Sequence, residues 1–202
     1  MKKKYLFLDI DGVLNHDEWF ESDGYRQNQA NWQVSMFDPK CVERVNKILE
    51  ETGAELVVSS SWRNMSDLEN IFASVGLPTK FHRTPYADHI YPDLDPIRDL
   101  YNDDIRYWRG SEIKYWLEHN AESPYTYCIL DDDCDMLEEQ HDNFVLTCGD
   151  RIHRPNLYAI NKGSGLTDWL TKIVIKILNV IISVLNIAKI DLDTPQTILP
   201  HK

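Results

Sequence analysis

Short continuous runs of apolar residues alternate along the chain with segments in which apolar residues recur at the spacing of a helix. The first run, residues 4–9, ends at a carboxylate and predicts a buried strand. Residues 38–51 carry apolar side chains at the spacing of one helix face. Asp38-Pro39 is typical of a helix start and Gly53 of a helix end. The chain is therefore predicted to open with a strand followed by a helix.

The same alternation continues through the next hundred residues. Further strands are predicted at 54–61, 125–132 and 143–147, and further helices at 65–76 and 111–120. Ser66 is the predicted cap of the second helix, and Gly76 is its predicted end. Strands separated by helices pair in parallel, so the pattern predicts an α/β fold with helices on both faces of a mainly parallel sheet.

Two segments lack this periodicity and are predicted to form short lid loops. Residues 16–37 are polar and aromatic, and they are too few for a whole cap domain. Residues 78–108 contain several prolines and aromatic residues. Long loops in compact domains are commonly binding loops. We therefore expect a core over residues 1–168 with an open site that admits bulky substrates.

The C-terminal region has a different pattern. Residues 168–190 are apolar except for a narrow polar stripe at Lys172, Lys176, Asn179, Ser183 and Asn186. This predicts an amphipathic helix over 169–190 that packs on the domain or on a second copy as a homodimer, before a flexible tail at 191–202. Contact with a membrane surface is an alternative, whereas the polar interruptions disfavour a membrane span.

Charge and cysteine content narrow the classes of function. The 202 residues carry a formal net charge of -12, which disfavours tight non-specific binding to nucleic acid. A nucleotide or a strand end in a local basic pocket remains compatible with this charge. The four cysteines include no C-x-x-C pair, so neither a zinc site nor a disulfide framework is indicated, and a cytoplasmic location is expected.

The candidate chemistry lies where three predicted strands end. These ends deliver Asp9 and Asp11, then Ser59, Ser60, Ser61, Trp62 and Arg63, and then Asp131, Asp132 and Asp133. Parallel strands bring such ends to one edge of the sheet. Converging carboxylates repel one another unless a cation lies among them, and carboxylates with water suit Mg²⁺. Each motif alone is equally typical of a turn, a helix cap or a solvated charge run, but their joint placement favours a site.

These motifs, together with a fourth, resemble a known superfamily. The segments "FLDIDGVLN", "VVSSSWR", "RGSEIKYWL" and "YCILDDD" resemble the haloacid dehalogenase (HAD) superfamily of phosphatases over residues 4–168. More narrowly, "SSWR", "TPY", "LDDDCDM" and "GLTDWL" resemble small phage and bacterial HAD domains, some of which are associated with RNA-repair proteins. The resemblance implies a Rossmann-like three-layer sandwich with a minimal cap domain or none.

The resemblance also implies roles for individual residues. Asp9 would be the nucleophile that forms an aspartyl-phosphate, and Asp11 the general acid and base, whose presence favours phosphate esters. Ser60 would bind the phosphoryl oxygens. Mg²⁺ would be bound by Asp9, Asp11, Asp131 and Asp132. The family's lysine of motif three is missing from its usual place, where Arg109 stands, so either Arg109 or Lys114 would fill that role.

Substrate contacts are the least specific part of the prediction. Ser59, Ser61, Trp62 and Arg63 are candidates, with Trp62 able to stack on a base. Core packing for Trp62 and a structural salt bridge for Arg63 are the alternatives. The sequence thus predicts an Mg²⁺-dependent phosphomonoester hydrolase acting on a nucleotide, a nucleic-acid end or another phosphate ester. The alternatives are a polynucleotide 3′-phosphatase in nucleic-acid repair and a non-catalytic HAD-like binding module.

Overall fold

A computed structural model describes residues 2–27, 31–90, 108–147 and 166–179. The strands are β1 (Lys3–Leu8), β2 (Glu55–Val58), β3 (His82–Arg83), β4 (Tyr125–Asp131) and β5 (Phe144–Leu146). The helices are α1 (Asp17–Glu21), α2 (Asp23–Gln27), α3 (Trp32–Ser35), α4 (Pro39–Thr52), α5 (Leu68–Val75), α6 (Ala87–Ile90), α7 (Trp108–Asn120) and α8 (Asp168–Asn179). Within the described residues, short 3₁₀ helices cover Ser61–Asn64 and Glu138–Asn143.

The five strands form one sheet in the order β3-β2-β1-β4-β5, and every neighbouring pair is parallel. β1 lies in the centre, between β2 and β4. All the strands therefore end at the same edge, as the sequence predicts, and the α/β class is confirmed. The sequence did not predict β3, whose two residues lie within the predicted second loop and are too few to show a period.

Side chains alternate between two separate cores on the two faces of the sheet. Leu6 and Leu8 of β1 point to the face covered by α4, α5 and α8. Tyr5 and Phe7 point to the other face, where they pack against Trp116 of α7. Because strand side chains alternate with a period of two, a residue's position in its strand decides which helix layer it meets. This arrangement is the three-layer sandwich that the resemblance implies.

The predicted ends of α4 are confirmed, whereas the predicted cap of α5 is wrong. The Asp38 side chain accepts a hydrogen bond from the Lys40 backbone N–H at 2.9 Å, and Gly53 ends α4 with a φ of 65°. The residue before α5 is Asp67 rather than Ser66, and its side chain does not cap the helix.

The first predicted loop contains short helices. Residues 17–27 and 32–35 form α1, α2 and α3, which are too short to show a helical period in the sequence. Buried His16 approaches Asp38 with its Nε2 atom 2.9 Å from the Oδ2 atom, so this segment is joined to the start of α4. In the second predicted loop the described residues contain β3 and α6, and residues 91–107 lie outside the described part.

The first half of the predicted C-terminal helix packs on its own domain. Leu170, Val174 and Leu178 of α8 are buried in the larger core. Arg44 of α4 fixes the start of α8, because its Nε donates a hydrogen bond to Asp168 at 2.7 Å. Residues 180–202, which include the rest of the predicted helix and the tail, lie outside the described residues. Within the described ranges no helix is long and apolar enough to cross a membrane.

Candidate active site

Strand register brings two of the predicted carboxylates together at the centre of the sheet edge. Leu8 of β1 pairs with Leu130 of β4, and the Asp9 backbone N–H donates to the Leu130 carbonyl at 2.9 Å. Asp9 comes directly after Leu8, and Asp131 directly after Leu130, so the two acids lie beside each other. Because side chains alternate along a strand, both point to the face that α7 covers. Carboxylate oxygens of Asp9, Asp131 and Asp132 lie within 4.8 Å of one another.

Arg109 lies in the first turn of α7 and faces this cluster. Its Nη2 atom is 3.5 Å from Asp9 Oδ1, and its Nε atom is 3.4 Å from Asp131 Oδ2. Asp135 fixes the start of the helix: its carboxylate accepts the Arg109 backbone N–H at 3.1 Å, and its carbonyl accepts that of Gly110 at 3.2 Å. Asp135 therefore aims the helix end that carries the guanidinium.

Lys114 lies elsewhere on the same helix. Five residues are well over one helical turn of 3.6 residues, so Lys114 and Arg109 point in different directions. The Lys114 Nζ atom is 2.8 Å from Glu139, and half of its side chain is exposed. Of the two candidates for the motif-three role, the structure places Arg109 beside Asp9 and does not bring Lys114 there.

The cluster holds several carboxyl groups, and Arg109 is the cation beside them in the described part of the chain. Burial raises the pKa of Asp9 to about 7, although the charge of Arg109 and a hydrogen bond from the Ser60 hydroxyl lower it. Burial and then repulsion by Asp9 raise the pKa of Asp131. Burial also raises the pKa values of Asp132 and Asp135. A nearby cation would favour the ionised form of each carboxyl.

The donor set fits a hard divalent cation. Asp131 Oδ2 is buried and accepts no hydrogen bond from the described residues, although the guanidinium of Arg109 lies 3.4 Å away, so this oxygen keeps its capacity to bind a cation. Oxygen ligands of this kind, with water, suit Mg²⁺. The side chains that would bind it are Asp9, Asp131 and Asp132. The carboxylate of Asp11, which is also a predicted ligand, is not part of this group, and it accepts hydrogen bonds from Asn15 and Trp62.

Gly12 allows Asp132 to approach the turn after β1. Gly12 has a φ of +70°, and a Cβ atom built there would overlap the carboxyl group of Asp132. The Thr147 hydroxyl donates to the Gly12 carbonyl at 3.0 Å and so joins this turn to the end of β5. The glycine is therefore required both by its backbone conformation and by the carboxylate beside it.

Gly12→Ala is expected to displace Asp132 and weaken metal binding, in addition to straining the backbone by about 1–2 kcal/mol. Gly53→Ala is the matched control, because Gly53 has a φ of +65° and no atom of the described part of the chain lies within 4 Å of an added Cβ. Thermal unfolding with and without Mg²⁺ measures both effects. Equal Mg²⁺ responses in the two variants would contradict the proposed contact with Asp132.

The three serines of the second motif have different surroundings. The Ser60 hydroxyl is hydrogen-bonded to Asp9, and its oxygen also accepts the Trp62 backbone N–H at 3.4 Å. Ser59 is fully buried, and its Oγ atom has no hydrogen-bond partner among the described residues. Ser61 is exposed. Ser60 is thus the serine that the structure brings to the nucleophile candidate, as the sequence analysis prefers.

Trp62 and Arg63 are held by the protein itself. Arg63 is buried, with its Nη2 atom 2.8 Å from Glu112 and its Nη1 donating to the Ser60 carbonyl at 2.9 Å. Its guanidinium also stacks on the Tyr86 ring at 3.6 Å from the centroid. Trp62 is 9% exposed. The contacts of Arg63 favour the structural salt bridge over a substrate contact, and the burial of Trp62 leaves little of its ring for stacking on a base.

Two residues of the site, Asn15 and Gly12, have no predicted role, and Asp135 belongs to the "LDDDCDM" segment, where the resemblance allows it a family position. Asn15 holds Asp11, Asp135 holds the start of α7, and Gly12 makes room for Asp132. The signal for Gly12 is its place in the D-x-D-G segment. The signal for Asp135 is its place in the fourth motif, whereas Asn15 acts through a contact within the turn after β1 that no motif indicates.

The stability of the metal-free protein is expected to depend on pH through Asp9. The pKa of Asp9 is about 7 in the folded protein against an ordinary value of 3.8, so the unfolded chain ionises first as the pH rises. The contribution of Asp9 to stability is therefore complete below about pH 4 and falls until about pH 7. Asp9→Asn lacks this loss, so its unfolding free energy relative to wild type should rise across that interval. A constant difference in urea unfolding from pH 4 to pH 8 would contradict this.

The α/β fold and the buried acidic group are compatible with a phosphatase-type hydrolase, and the family comparison supports this general class. Residues 5–151 match the family described as "HAD domain in Swiss Army Knife RNA repair proteins". This match covers more than two thirds of the chain, so the chain belongs to this family of HAD domains. Comparisons with curated proteins and with solved structures gave no match.

Proposed function

We propose that this protein is an Mg²⁺-dependent phosphomonoester hydrolase that acts through an aspartyl-phosphate on Asp9. The observation that carries the proposal is the position of Arg109 between Asp9 and Asp131, with Ser60 and Asp132 at the same edge. A nucleophilic carboxylate, a cation-binding carboxylate group and neutral and positive donors thereby surround one small volume. This combination suits an anionic phosphoryl group better than a neutral substrate.

The first half of the reaction would transfer the phosphoryl group to the protein. A carboxylate oxygen of Asp9 forms a bond to phosphorus while the bond between phosphorus and the leaving oxygen breaks. Asp11 gives its proton to that oxygen, so the product leaves as an alcohol. Arg109 and the Ser60 hydroxyl lie beside Asp9, where they would donate to the phosphoryl oxygens.

The second half would regenerate the free protein. Water attacks the phosphorus of the aspartyl-phosphate, Asp11 accepts a proton from the water, and Asp9 leaves as a carboxylate. The sum of the two halves is hydrolysis of one ester bond, with Asp11 back in its protonated form. Mg²⁺ bound by Asp9, Asp131 and Asp132 would offset the repulsion between the anionic nucleophile and the phosphate.

A phosphorylated RNA end is the favoured substrate among the phosphate esters. The family name associates these domains with RNA repair proteins. The net charge of -12 argues for recognition of a strand end rather than a long stretch of nucleic acid. A nucleotide is the second candidate. A panel of 3′-phosphorylated and 5′-phosphorylated oligoribonucleotides, mononucleotides and sugar phosphates distinguishes these substrates by their kcat/KM values.

Phosphate release from p-nitrophenyl phosphate with Mg²⁺ and with excess EDTA is the test of the activity itself. We expect turnover that requires the metal and returns when Mg²⁺ is restored. Equal turnover in EDTA would contradict the mechanism. Absence of turnover on every ester, together with binding of inorganic phosphate, would instead support the non-catalytic binding module.

The exposed face of α8 is the surface that a partner could contact. A homodimer or a membrane-surface contact through residues 168–190 would have to use the face of α8 that the core leaves open. That face carries Lys172, Lys176 and Asn179 in the described part. Two lysines would suit an anionic lipid surface better than an apolar dimer seam. A cytoplasmic location is proposed on the cysteine content alone.

A further inference from the structure

Two side chains from different parts of the chain hold the carboxylate of Asp11. Asn15 donates from Nδ2 to Asp11 Oδ1 at 2.7 Å. The indole N–H of Trp62 is shared between Oδ2 at 3.1 Å and Oδ1 at 3.3 Å. Asp11 itself is exposed, whereas both donors are buried. An exposed carboxylate therefore has a fixed orientation that solvent alone would not impose.

Both donors are themselves fixed. The Asn15 side-chain oxygen accepts the Gly12 backbone N–H at 2.9 Å, so its amide cannot turn freely. The Trp62 ring packs edge to face on Phe37 with centroids 5.4 Å apart. Rigid donors hold a carboxylate in place at little cost in side-chain entropy.

We infer that Trp62 and Asn15 are positioning residues for proton transfer between Asp11 and the leaving oxygen of the substrate. This inference rests on the proposed function, because it requires Asp11 to be the general acid. It gives Trp62 a role different from stacking on a base, and it gives Asn15 a role that no motif indicates.

If the Asp11 carboxyl group loses its orientation, the rate should fall most for substrates whose leaving oxygen must be protonated. A dinitrophenolate leaves readily without protonation, whereas phenolate or an alkoxide does not. General acid catalysis contributes about 10²–10⁴-fold, so misalignment should remove part of that factor only for the poor leaving group. A merely structural role of Trp62 would affect both substrates alike.

The test compares kcat/KM on 2,4-dinitrophenyl phosphate and on phenyl phosphate, with saturating Mg²⁺. This parameter reports the transfer to Asp9 and not the later hydrolysis. Trp62→Phe keeps an aromatic ring but removes the N–H donor. We expect it to lower the phenyl phosphate value roughly tenfold more than the dinitrophenyl value. Asp11→Asn should show a larger difference in the same direction. Trp32→Phe is the matched control, because Trp32 is 62% exposed.

The outcomes separate this inference from the proposed function. If Trp62→Phe lowers both values equally, or neither, the positioning role is wrong while the phosphatase stands. If wild type hydrolyses neither ester, or Asp9→Asn is fully active, the proposed function itself fails. Should Trp62→Phe not fold, Asn15→Ala is compared on the same two esters. An equal effect on both would again overturn the inference, and a selective loss on phenyl phosphate would support it.

Discussion

Asp9→Asn is expected to lower kcat on p-nitrophenyl phosphate by at least about 10⁴-fold while the protein stays folded. The amide has nearly the shape of the carboxylate but cannot form the phosphoryl bond. The substitution also removes a buried charge from beside Asp131 and Asp132. Circular dichroism and thermal unfolding should therefore show an intact fold, and the steady-state rate should show the loss.

The matched control for this experiment is Asp133→Asn. Asp133 belongs to the same run of acids but is exposed, and its side chain bonds only to the adjacent Cys134 backbone N–H at 2.8 Å among the described hydrogen bonds. An asparagine oxygen can accept the same bond. We expect near wild-type activity in this variant. Comparable losses in both variants would mean that bulk acidity, and not a nucleophile at residue 9, supports turnover.

Arg109→Met is expected to have the second-largest effect, with a loss of roughly 10²–10³-fold in kcat/KM. The guanidinium lies near both Asp9 and Asp131. Its positive charge would therefore offset the negative charge of these carboxylates and of the phosphoryl group. Removal of one partner of a buried ion pair costs about 3–5 kcal/mol, and protonation of the carboxyls would moderate this. Activity and urea unfolding measure the two effects.

Lys114→Met distinguishes the two candidates for the motif-three role. The surface pair of Lys114 with Glu139 is half-exposed, and such pairs contribute about 1 kcal/mol or less. This variant should therefore keep its activity and nearly all of its stability. Arg109→Lys, which retains the charge but not the planar fork, should fall between wild type and Arg109→Met. A larger activity loss in Lys114→Met than in Arg109→Met would reverse the assignment.

Periodicity predicted most of the fold because it is a local property of the chain. The strands at β1, β2, β4 and β5 and the helices α4, α5 and α7 are all present, with ends within a few residues of those predicted. The difference from the prediction that matters for the site is at the start of α7. The described residues of α7 include Trp108, Arg109 and Gly110, which precede the predicted start at residue 111, and Asp135 accepts the backbone N–H groups of Arg109 and Gly110. Arg109 consequently lies within the helix and faces the site.

The short elements escaped prediction for a physical reason. α1, α2 and α3 have only four or five residues each, less than two turns, so no apolar period can appear in the sequence. Their stability comes from tertiary contacts such as that of His16 with Asp38 and that of the Trp19 indole with the Ser35 carbonyl at 2.9 Å. The second predicted loop was likewise interrupted by β3, which exists through its pairing with β2.

The sequence by itself determined that acids and hydroxyls end successive parallel strands, and hence that they meet at one sheet edge. Topology alone requires this, whatever the side chains do afterwards. Only the tertiary structure decided that Arg109 and not Lys114 faces Asp9, and that Trp62 and Asn15 hold Asp11. Such contacts depend on register, helix start and packing between distant segments, and these are set by the whole fold rather than by any local pattern.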